Sequence, residues 1–411
     1  MCMSNGGTFL FTVFLFTMIF ILHFQKSVLL LYFINMIQKT QSSKEIMLPH
    51  SEAKVEMYER YLRLYLTILC RVSYIKEINI YDVFCGKGIY DNGKNGSSIR
   101  AFNVIKEVMT SWNSNTKITL HLNDINEENI NTAKAYIENN GSDKSKDFNI
   151  EYSTKDACEL LNNLSDELLT TNKDNRNFIF IDPYGYKEVK KDVIERLMSN
   201  GKTEILLFIP INFMARFRKA AVENATIAGY KPLNDFLMSF FPDDHPMNGY
   251  EDISDMDFIK YVKDALSFKE RFFCSSFYIE RSRNNYFSLF HITSNFTGYK
   301  KMIEAKWSLS AGGEGFDQQQ YIMPSMFAEE DRKNIIRTEL IKYLSRQRTN
   351  KELNYFIFKL EFLPKHLTDV LKEMLAENLI KIEQIPRTKK IKKGYFYIND
   401  ENNRITIKLN Q

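Results

Sequence analysis

The segment from Ile78 to Gly88 constrains the fold of this chain more than any other. Its apolar, β-branched and aromatic residues lead directly to Asp82, and the chain then turns at Gly86 and Gly88. A buried strand of a parallel sheet delivers its carboxyl end to a ligand in this way. Glycine tolerates a positive φ and has no Cβ, so the backbone can approach a nucleotide or nucleoside closely. The segment therefore predicts a binding turn, although many strand-to-helix turns use two glycines.

The alternation of strand and helix continues after this segment. Further short apolar runs read as strands, at residues 117–122, 148–152, 178–181 and 204–209. Five strand-plus-helix units predict a parallel sheet with helices on both faces, and ligands of such sheets bind beyond the carboxyl ends of the strands. Four aspartates fall at those predicted ends: Asp82, Asp124, Asp156 and Asp182.

Two adjoining strands, at residues 273–280 and 286–294, follow a mainly helical stretch. An antiparallel hairpin that closes five parallel strands is typical of the class I methyltransferase sheet, and NAD-binding sheets normally lack it. We therefore predict an α/β, Rossmann-like class I methyltransferase domain over residues 47–328. Residues 329–411 read as three helices and strands at 380–383, 395–398 and 405–409, which predicts a winged-helix-like α+β module.

Composition narrows the class of protein. The chain has 411 residues, which favours two domains or one large domain with an appendage. Its formal net charge is +4, with 55 basic and 51 acidic residues, which argues against a wholly basic nucleic-acid coat but leaves room for a local basic patch. The five cysteines are scattered and include no C-x-x-C pair, which indicates neither a disulfide framework nor a metal cluster and favours a reducing compartment.

Residues 1–46 differ from the rest of the chain. Residues 8–22 carry no charge, and a second apolar run covers residues 28–37 beyond Lys26. A membrane helix needs about 20 apolar residues, and basic residues follow the first run rather than precede it, which disfavours a signal peptide. Two interpretations remain. One is a membrane anchor that tethers a cytoplasmic body, and the other is a true start at Met36 or Met47.

The predicted turn offers a site for S-adenosylmethionine. Asp82 would lie near the amino group of this cofactor, with Phe84, Gly86 and Gly88 around it. A tight turn without a ligand is the alternative.

Two further aspartates have an alternative role as helix caps. Asp124, at the end of the second predicted strand, is the type of residue that accepts both ribose hydroxyls in a nucleoside fold. Asp156 could accept from an adenine amino group. Both also precede predicted helices, where an aspartate often serves only as the N-cap.

Asp182, Pro183 and Tyr184 form the predicted reaction centre. Amino-methylating enzymes place an acid or amide, a proline and an aromatic residue here, and the ring stacks on an extruded base. This chain lacks the second proline that usually precedes the aromatic residue, so its geometry for base methylation stays open. Cys85 is interpreted as a small apolar residue that packs beside the turn rather than as a nucleophile. His121 is interpreted as a packed strand residue rather than a catalytic one.

A basic run, residues 387–393, lies where a winged helix presents its wing to phosphates. It contains Lys389 and Lys390, which are predicted to contact nucleic acid. Solvated loop charge explains the run equally well.

Several motifs together resemble the three-Cys-motif partner family (TcmP) over roughly residues 50–315. The motifs are His50-x-x-x-Lys54, Asp82-Val83-Phe84-Cys85-Gly86-Lys87-Gly88, Gly93-x-x-Gly96-Ser97 with Arg100-Ala101, Phe180-Ile181-Asp182-Pro183-Tyr184-Gly185, Phe208-Ile209-Pro210-Ile211-Asn212, Tyr286-Phe287-Ser288-Leu289-Phe290-His291, Lys300-Lys301-Met302 and Lys306-Trp307.

The resemblance implies a class I S-adenosylmethionine-binding fold and a partner protein of the radical type with three cysteines. It places His50 and Lys54 near the reaction pocket as substrate-binding residues. The family's reaction is not established. One hypothesis is therefore a methyltransferase acting on nucleic acid or a nucleotide-bearing substrate. The other is a non-catalytic docking partner in a mobile-element or defence context.

Overall fold

The computed structural model describes residues 46–112, 115–140, 148–170, 172–186, 188–249, 251–282, 285–310, 312–313, 315–316, 326–386, 388, 390–392 and 394–410. The chain divides into two units, residues 1–48 with 90–94 and residues 49–89 with 95–411, and the fold below is that of the second unit. The predicted membrane anchor, residues 8–37, lies outside the described residues. Within those ranges, no helix has both the length and the apolar character needed to span a membrane.

A mostly parallel sheet of eight strands forms the centre of the second unit. The strands are β1 Glu77–Asp82, β2 Lys117–Asn123, β3 Asn149–Ser153, β4 Asn175–Ile181, β5 Thr203–Ile209, β6 Phe273–Ser282, β7 Asn285–Thr293 and β8 Gly315–Phe316. Their order is β3-β2-β1-β4-β5-β7-β6-β8. Strands β1 to β5 are mutually parallel, whereas β7 pairs antiparallel with both β5 and β6.

This topology confirms the predicted α/β, Rossmann-like class I methyltransferase sheet. Five parallel strands are closed by the antiparallel hairpin β6–β7. The strand order reverses at β1, which lies between β2 and β4. Such a switch point opens a crevice at the carboxyl ends of the strands. The short strand β8, parallel to β6, was not predicted.

Helices cover both faces of the sheet. They are α1 Pro49–Leu69, α2 Ser97–Ser111, α3 Glu127–Asn140, α4 Ala157–Glu167, α5 Lys191–Met198, α6 Ile211–Glu223, α7 Lys231–Phe240, α8 Asp255–Leu266 and α9 Phe296–Leu309. Successive residues of β4 enter different cores, because Phe178 and Phe180 pack with α1 and α2 while Ile179 and Ile181 pack with α4 to α8. Burial on both faces explains why this strand is continuously apolar.

Helix α1 runs along one face of the sheet from its carboxyl edge toward its amino edge. Near the middle of α1, the Tyr58 ring stacks on Phe180 with centroids 4.3 Å apart. Further along, the Tyr61 hydroxyl donates to Glu204, which lies at the start of β5 and is 3.1 Å from Nε2 of His291. These contacts place the first turns of α1, which carry Lys54, at the carboxyl ends of the strands.

The carboxyl-terminal elements are three helices and a small antiparallel sheet. The helices are α10 Met326–Tyr343, α11 Asn350–Lys359 and α12 Pro364–Ala376, and the strands are β9 Arg348–Thr349, β10 Ile380–Gln384 and β11 Ile405–Leu409. The strand order is β10-β11-β9. The strand predicted at residues 395–398 is wrong, because Tyr397 has φ +52° and the segment forms no strand pairing with the described residues, although Phe396 and Ile398 are buried. Residues 348–349 supply the third strand instead.

A buried ion-pair triad joins α9 to these elements. The Glu361 carboxylate accepts from Lys306, which is 2 % exposed, and lies 3.0 Å from the Lys263 ammonium. The Trp307 indole donates to the Glu361 carbonyl oxygen at 2.9 Å. Burial disfavours the ionised carboxyl, but the two ammonium groups outweigh that effect and lower the pKa of Glu361. Tyr299 of α9 also belongs to the carboxyl-terminal core.

Candidate cofactor and reaction site

The glycine turn after β1 has the left-handed backbone that the sequence predicts. Gly86 has φ +58° and Gly88 has φ +74°. A Cβ on Gly88 would lie 2.7 Å from the Ser98 hydroxyl and 2.9 Å from Cγ1 of Ile99, so Gly88 packs the turn against α2. A Cβ on Gly86 would meet nothing within 4 Å. The space beside Gly86 is therefore open to a ligand.

Asp82 is a fully buried carboxylate at the end of β1. Neither of its oxygens makes a hydrogen bond of normal geometry to the described residues. Burial raises the pKa of this carboxyl to about 7, the Ser97 hydroxyl and the Phe84 NH counteract the rise, and the carboxylates of Asp182 and Asp124 add to it. A buried acid without a partner is costly to the fold. Such a group points to a cationic ligand.

Asp124 braces the glycine turn from the end of β2. Its Oδ2 accepts from the Gly86 NH at 3.0 Å, and its Oδ1 accepts from the Asn126 NH at 2.8 Å and from Nδ2 of Asn129 at 3.1 Å. The side chain is buried, so it is more than an exposed cap at the start of α3. The two asparagines were not singled out from the sequence, and only their closeness to Asp124 in the chain could have indicated them.

Asn123 ties together the ends of three strands and was also missed. Its Nδ2 donates to the carbonyl oxygens of Val83 at 3.1 Å and Lys155 at 3.0 Å. Its Oδ1 accepts from the Ser153 hydroxyl at 2.7 Å and from the Lys155 NH at 2.9 Å. The residue therefore fixes the crevice edge formed by β1, β2 and β3.

Asp156 is the N-cap of α4. Its Oδ1 accepts from the NH groups of Cys158 and Glu159, at 2.9 and 3.1 Å. This is the capping alternative that the sequence left open. The residue is exposed, beyond the end of β3.

Asp182, at the end of β4, is paired with Lys54 from the other side of the crevice. The Lys54 Nζ lies 2.5 Å from Oδ2 of Asp182, and the two side chains are 14 % and 20 % exposed. Among the described residues, no hydrogen bond is donated to Oδ1 of Asp182. Pro183 is buried, whereas Tyr184 is 72 % exposed. The predicted reaction centre and the predicted lysine thus lie together.

Three stacked rings extend from Lys54, and we call them the aromatic wall: Phe208, Phe287 and His50. The Lys54 ammonium lies 4.4 Å from the centre of the Phe208 ring. Phe208 stacks on Phe287 at 5.3 Å, and Phe287 stacks on His50 at 5.7 Å with only 8° between the planes. Phe208 and Phe287 were not proposed as site residues, although both lie in segments that carry the family resemblance.

Other residues considered from the sequence lie elsewhere. Lys390 is exposed in the carboxyl-terminal module, and Lys389 lies outside the described residues. Cys85 is buried, and that burial raises the pKa of its thiol. His121 stacks on Tyr81 at 4.3 Å, and burial lowers the pKa of its imidazole although Glu151 opposes the shift. Neither residue is poised as a nucleophile or base.

Comparisons with known proteins find only distant likenesses. No family model matches the chain, and no curated protein matches it. Trm1 from Pyrococcus horikoshii, solved with S-adenosyl-L-methionine, is 11 % identical over 61 % of this chain and 72 % of its own, with a TM-score of 0.29. The O-methyltransferase TomG from Streptomyces achromogenes, solved with the same cofactor, is 10 % identical over 61 % and 92 %, with a TM-score of 0.29.

A third solved structure gives the same result. The Podospora anserina methyltransferase PaMTH1, bound to SAH, is 9 % identical over 64 % of this chain and 95 % of its own, with a TM-score of 0.27. TM-scores of this size carry no argument about fold or function. The fold assignment rests on the strand order and the direction of β7.

Proposed function

We propose that this protein binds S-adenosylmethionine and acts as a methyltransferase of the three-Cys-motif partner type on a nucleic acid or a nucleotide-bearing substrate. The observation that carries the proposal is Asp82, a buried carboxylate that makes no hydrogen bond of normal geometry to the described residues and is followed four positions later by Gly86, whose Cβ direction is open. The strand order, with five parallel strands closed by the antiparallel strand β7, is typical of class I methyltransferases and makes S-adenosylmethionine the natural candidate.

The chemistry of the site fits the cofactor. When bound, S-adenosylmethionine supplies a methyl group activated by a sulfonium, and it also carries an ammonium group. The carboxylates of Asp124 and Asp182 lie close enough to raise the pKa of Asp82 at the strand ends, and Lys54 pairs with Asp182. Asp82 would hold the ammonium group, and the turn at Gly86 would lie against the nucleoside. The excess negative charge favours a cationic ligand.

Further residues would hold the nucleoside part of the cofactor. Phe84 lies in the turn itself, between Asp82 and Gly86. Asp124 would face the ribose from the end of β2, and Asp156 would approach the adenine from the end of β3. The Asp156 Oδ1 already caps α4, so its Oδ2 is the oxygen that would contact the base.

Asp182, Pro183 and Tyr184 would hold the acceptor. The Oδ1 of Asp182 can accept a hydrogen bond from the amine that is to be methylated, while its Oδ2 stays paired with Lys54. Tyr184 is largely exposed. Lys54, which pairs with Asp182, also lies over the Phe208 ring of the aromatic wall. A flat base between aromatic groups would gain stacking energy. Positioning by these side chains would supply much of the rate enhancement, since the methyl donor arrives activated.

The carboxyl-terminal module would bring the nucleic acid to the protein. Its helix and strand order fits a winged-helix-like module, with residues 385–404 as the wing between β10 and β11. Lys390 is exposed in this segment, and Lys389 precedes it. A polybasic wing would contact phosphates without reading sequence.

Isothermal titration calorimetry with S-adenosylmethionine and SAH tests the proposal directly. We expect saturable heat with the full chain, and a loss of affinity of at least about tenfold in Asp82→Asn. Glu77→Gln is the matched control, since Glu77 begins the same strand at the opposite edge of the sheet. A folded protein that gives no heat with either compound would overturn the proposal.

One observation favours a second function, a non-catalytic docking partner of a three-Cys-motif radical-type protein. Lys54 already pairs with one carboxylate oxygen of Asp182, the residue proposed to bind the methyl acceptor. In that case Asp182→Ala would leave cellular function intact, while charge reversal at Lys389 and Lys390 would abolish it. The opposite pattern of phenotypes would exclude the docking role.

A further inference from the structure

Partly exposed aromatic rings cluster where α9 meets the carboxyl-terminal module. The ring centroids of Phe296 and Tyr355 are 4.9 Å apart, and that of Phe273 lies 5.4 Å from Phe296 and 6.3 Å from Tyr355. Tyr355 is 42 % exposed. Beside the rings is a cleft of about 580 Å³ between α9, α11 and the loop at residues 398–402. We call the rings and this cleft the aromatic cleft.

Three lysines surround the aromatic cleft. The Lys300 ammonium lies 5.5 Å from the centre of the Phe296 ring, and the Lys359 ammonium lies 5.7 Å from that of Phe273. Lys351 is exposed and lines the cleft from α11. Among the described residues, none of the three lysines forms a salt bridge, so their charge is available to a ligand.

The acidic residues of the aromatic cleft are largely neutralised. Glu304 lies 2.6 Å from the Lys301 ammonium, and Asp400 is paired with Arg404. Glu401 is the remaining acid that lines the cleft. Three lysines against one such carboxylate leave a local positive charge, although the whole chain carries only +4.

We propose that the aromatic cleft binds single-stranded nucleic acid. Aromatic rings interleaved with lysines are what an unpaired strand requires, because bases stack on the rings while phosphates meet the ammonium groups. Because the rings lie at a cleft, they can stack only on bases that are unpaired. The bases of a duplex are already stacked and paired with one another. Tyr355, the most exposed ring, would be the main stacking platform, with Lys300 and Lys351 facing the backbone.

The aromatic cleft is separate from the candidate reaction site. Phe296 follows Thr293, which pairs with Glu204 at the start of β5, so the cleft lies toward the amino edge of the parallel strands. Asp82 and Asp182 lie at the carboxyl edge. The cleft is thus a docking surface that holds a strand away from the chemistry. The inference extends the proposed function by naming a class of substrate, but the binding itself needs no cofactor.

Fluorescence anisotropy of the full chain with labelled single strands tests the inference. The probes are an oligo(dT) and an oligo(rU) of about 20 nucleotides, long enough for several stacked bases, together with a duplex of the same length. Wild-type protein should bind the single strands at least tenfold more tightly than the duplex. No binding to either strand at low salt, or a preference for the duplex, would overturn the inference.

The variants separate stacking from charge. Tyr355→Ala should weaken binding at least fivefold, and Tyr355→Phe should restore it because the ring is kept. Lys300→Glu combined with Lys351→Glu should weaken binding at least tenfold and make it less dependent on salt. Wild-type affinity in both Tyr355→Ala and the lysine pair would also overturn the inference.

Matched controls lie outside the aromatic cleft. Tyr74→Ala removes a tyrosine that is 61 % exposed elsewhere, and Lys173→Glu with Lys260→Glu makes the same change in net charge on other exposed lysines. Both controls should bind within twofold of wild type, and circular dichroism establishes that every variant is folded. Calorimetry with S-adenosylmethionine on the same samples reports the proposed cofactor function independently, so failure of one leaves the other standing.

Discussion

The Lys54 ammonium lies 2.5 Å from Oδ2 of Asp182, although 128 positions separate the two residues in the chain. The pair links the start of α1 to the end of β4 across the crevice. It places one cation among the carboxylates of Asp82, Asp124 and Asp182. The charge that a cofactor meets at the strand ends is therefore set jointly by α1 and the sheet.

Removing that cation should change the preference between a charged and a neutral cofactor. S-adenosylmethionine carries a sulfonium and SAH does not, so Lys54→Met should favour S-adenosylmethionine over SAH by an additional factor of about 3–10, since like charges a few ångströms apart repel in a half-buried site. Asp182→Asn should shift the ratio the other way. Calorimetric titration of both ligands measures the ratio, and the double variant should return it near wild type. An unchanged ratio in both single variants would contradict this electrostatic role.

Asp82 should cost the fold stability at neutral pH. The pKa of this carboxyl rises from 3.8 to about 7 on folding. Between pH 3.8 and about pH 7 the carboxyl is therefore protonated in the folded state but ionised in the unfolded chain. Stability therefore falls as pH rises through that window. Asp82→Asn should raise the free energy of unfolding by on the order of 1–3 kcal/mol at pH 8 and by little at pH 4. Urea unfolding at both pH values checks this, and equal gains at both would contradict it.

Binding of the cofactor should strengthen as pH rises from 6 to 8. Below about pH 7 the Asp82 carboxyl is protonated and cannot pair with an ammonium group, whereas above that value it can. We expect the affinity for S-adenosylmethionine to increase by up to about tenfold over this range, because the ionised fraction of a carboxyl with a pKa of about 7 rises by about that factor. Calorimetry in buffers of different ionisation enthalpy would also register the released proton. Asp82→Asn should bind weakly with a flat pH profile.

Alanine at the two glycines of the turn should have different effects. Gly86→Ala places a methyl group in open space, so it should cost only the left-handed backbone strain, about 1 kcal/mol, while blocking the cofactor. Gly88→Ala meets the Ser98 hydroxyl and Ile99 below 3 Å, so it should destabilise the fold more, by about 2–4 kcal/mol. Thermal unfolding and calorimetry compare them. Equal losses of stability would contradict the assignment of Gly86 to the ligand face.

Glu361→Gln should loosen the junction of the carboxyl-terminal module. It leaves the buried Lys306 ammonium without its counter-ion, which typically costs about 3–5 kcal/mol. Lys263→Met removes the more exposed partner and should cost less, about 1 kcal/mol. Because the pKa of Glu361 is lowered on folding, the stabilisation is present above its ordinary value of 4.5 and lost as pH falls below it. Urea unfolding at pH 7 and pH 4 measures both effects.

Local pattern was enough to predict most elements of the sheet. The continuously apolar residues 178–181 and the glycine turn at Gly86 and Gly88 are properties of short segments, and the structure has them where the sequence indicates. Capping was one of the two roles that the sequence left open for Asp156, because a cap depends only on the next few residues. Residues 395–398 show the limit of such reasoning, because their alternation suits a strand, but the left-handed backbone at Tyr397 excludes pairing.

The sequence by itself determined which segments form the sheet. It contains five apolar strands, an aspartate at the ends of four of them, and a hairpin that closes the sheet. Only the tertiary structure decided that Asp82 is buried without a hydrogen bond of normal geometry from the part of the chain that the structure describes. It also decided that Lys54 reaches Asp182, and that Phe208, Phe287 and His50 form one wall. Secondary structure follows from periodicity within about ten residues. Burial and ion pairing depend on segments far apart in the chain, which meet only when the sheet has formed.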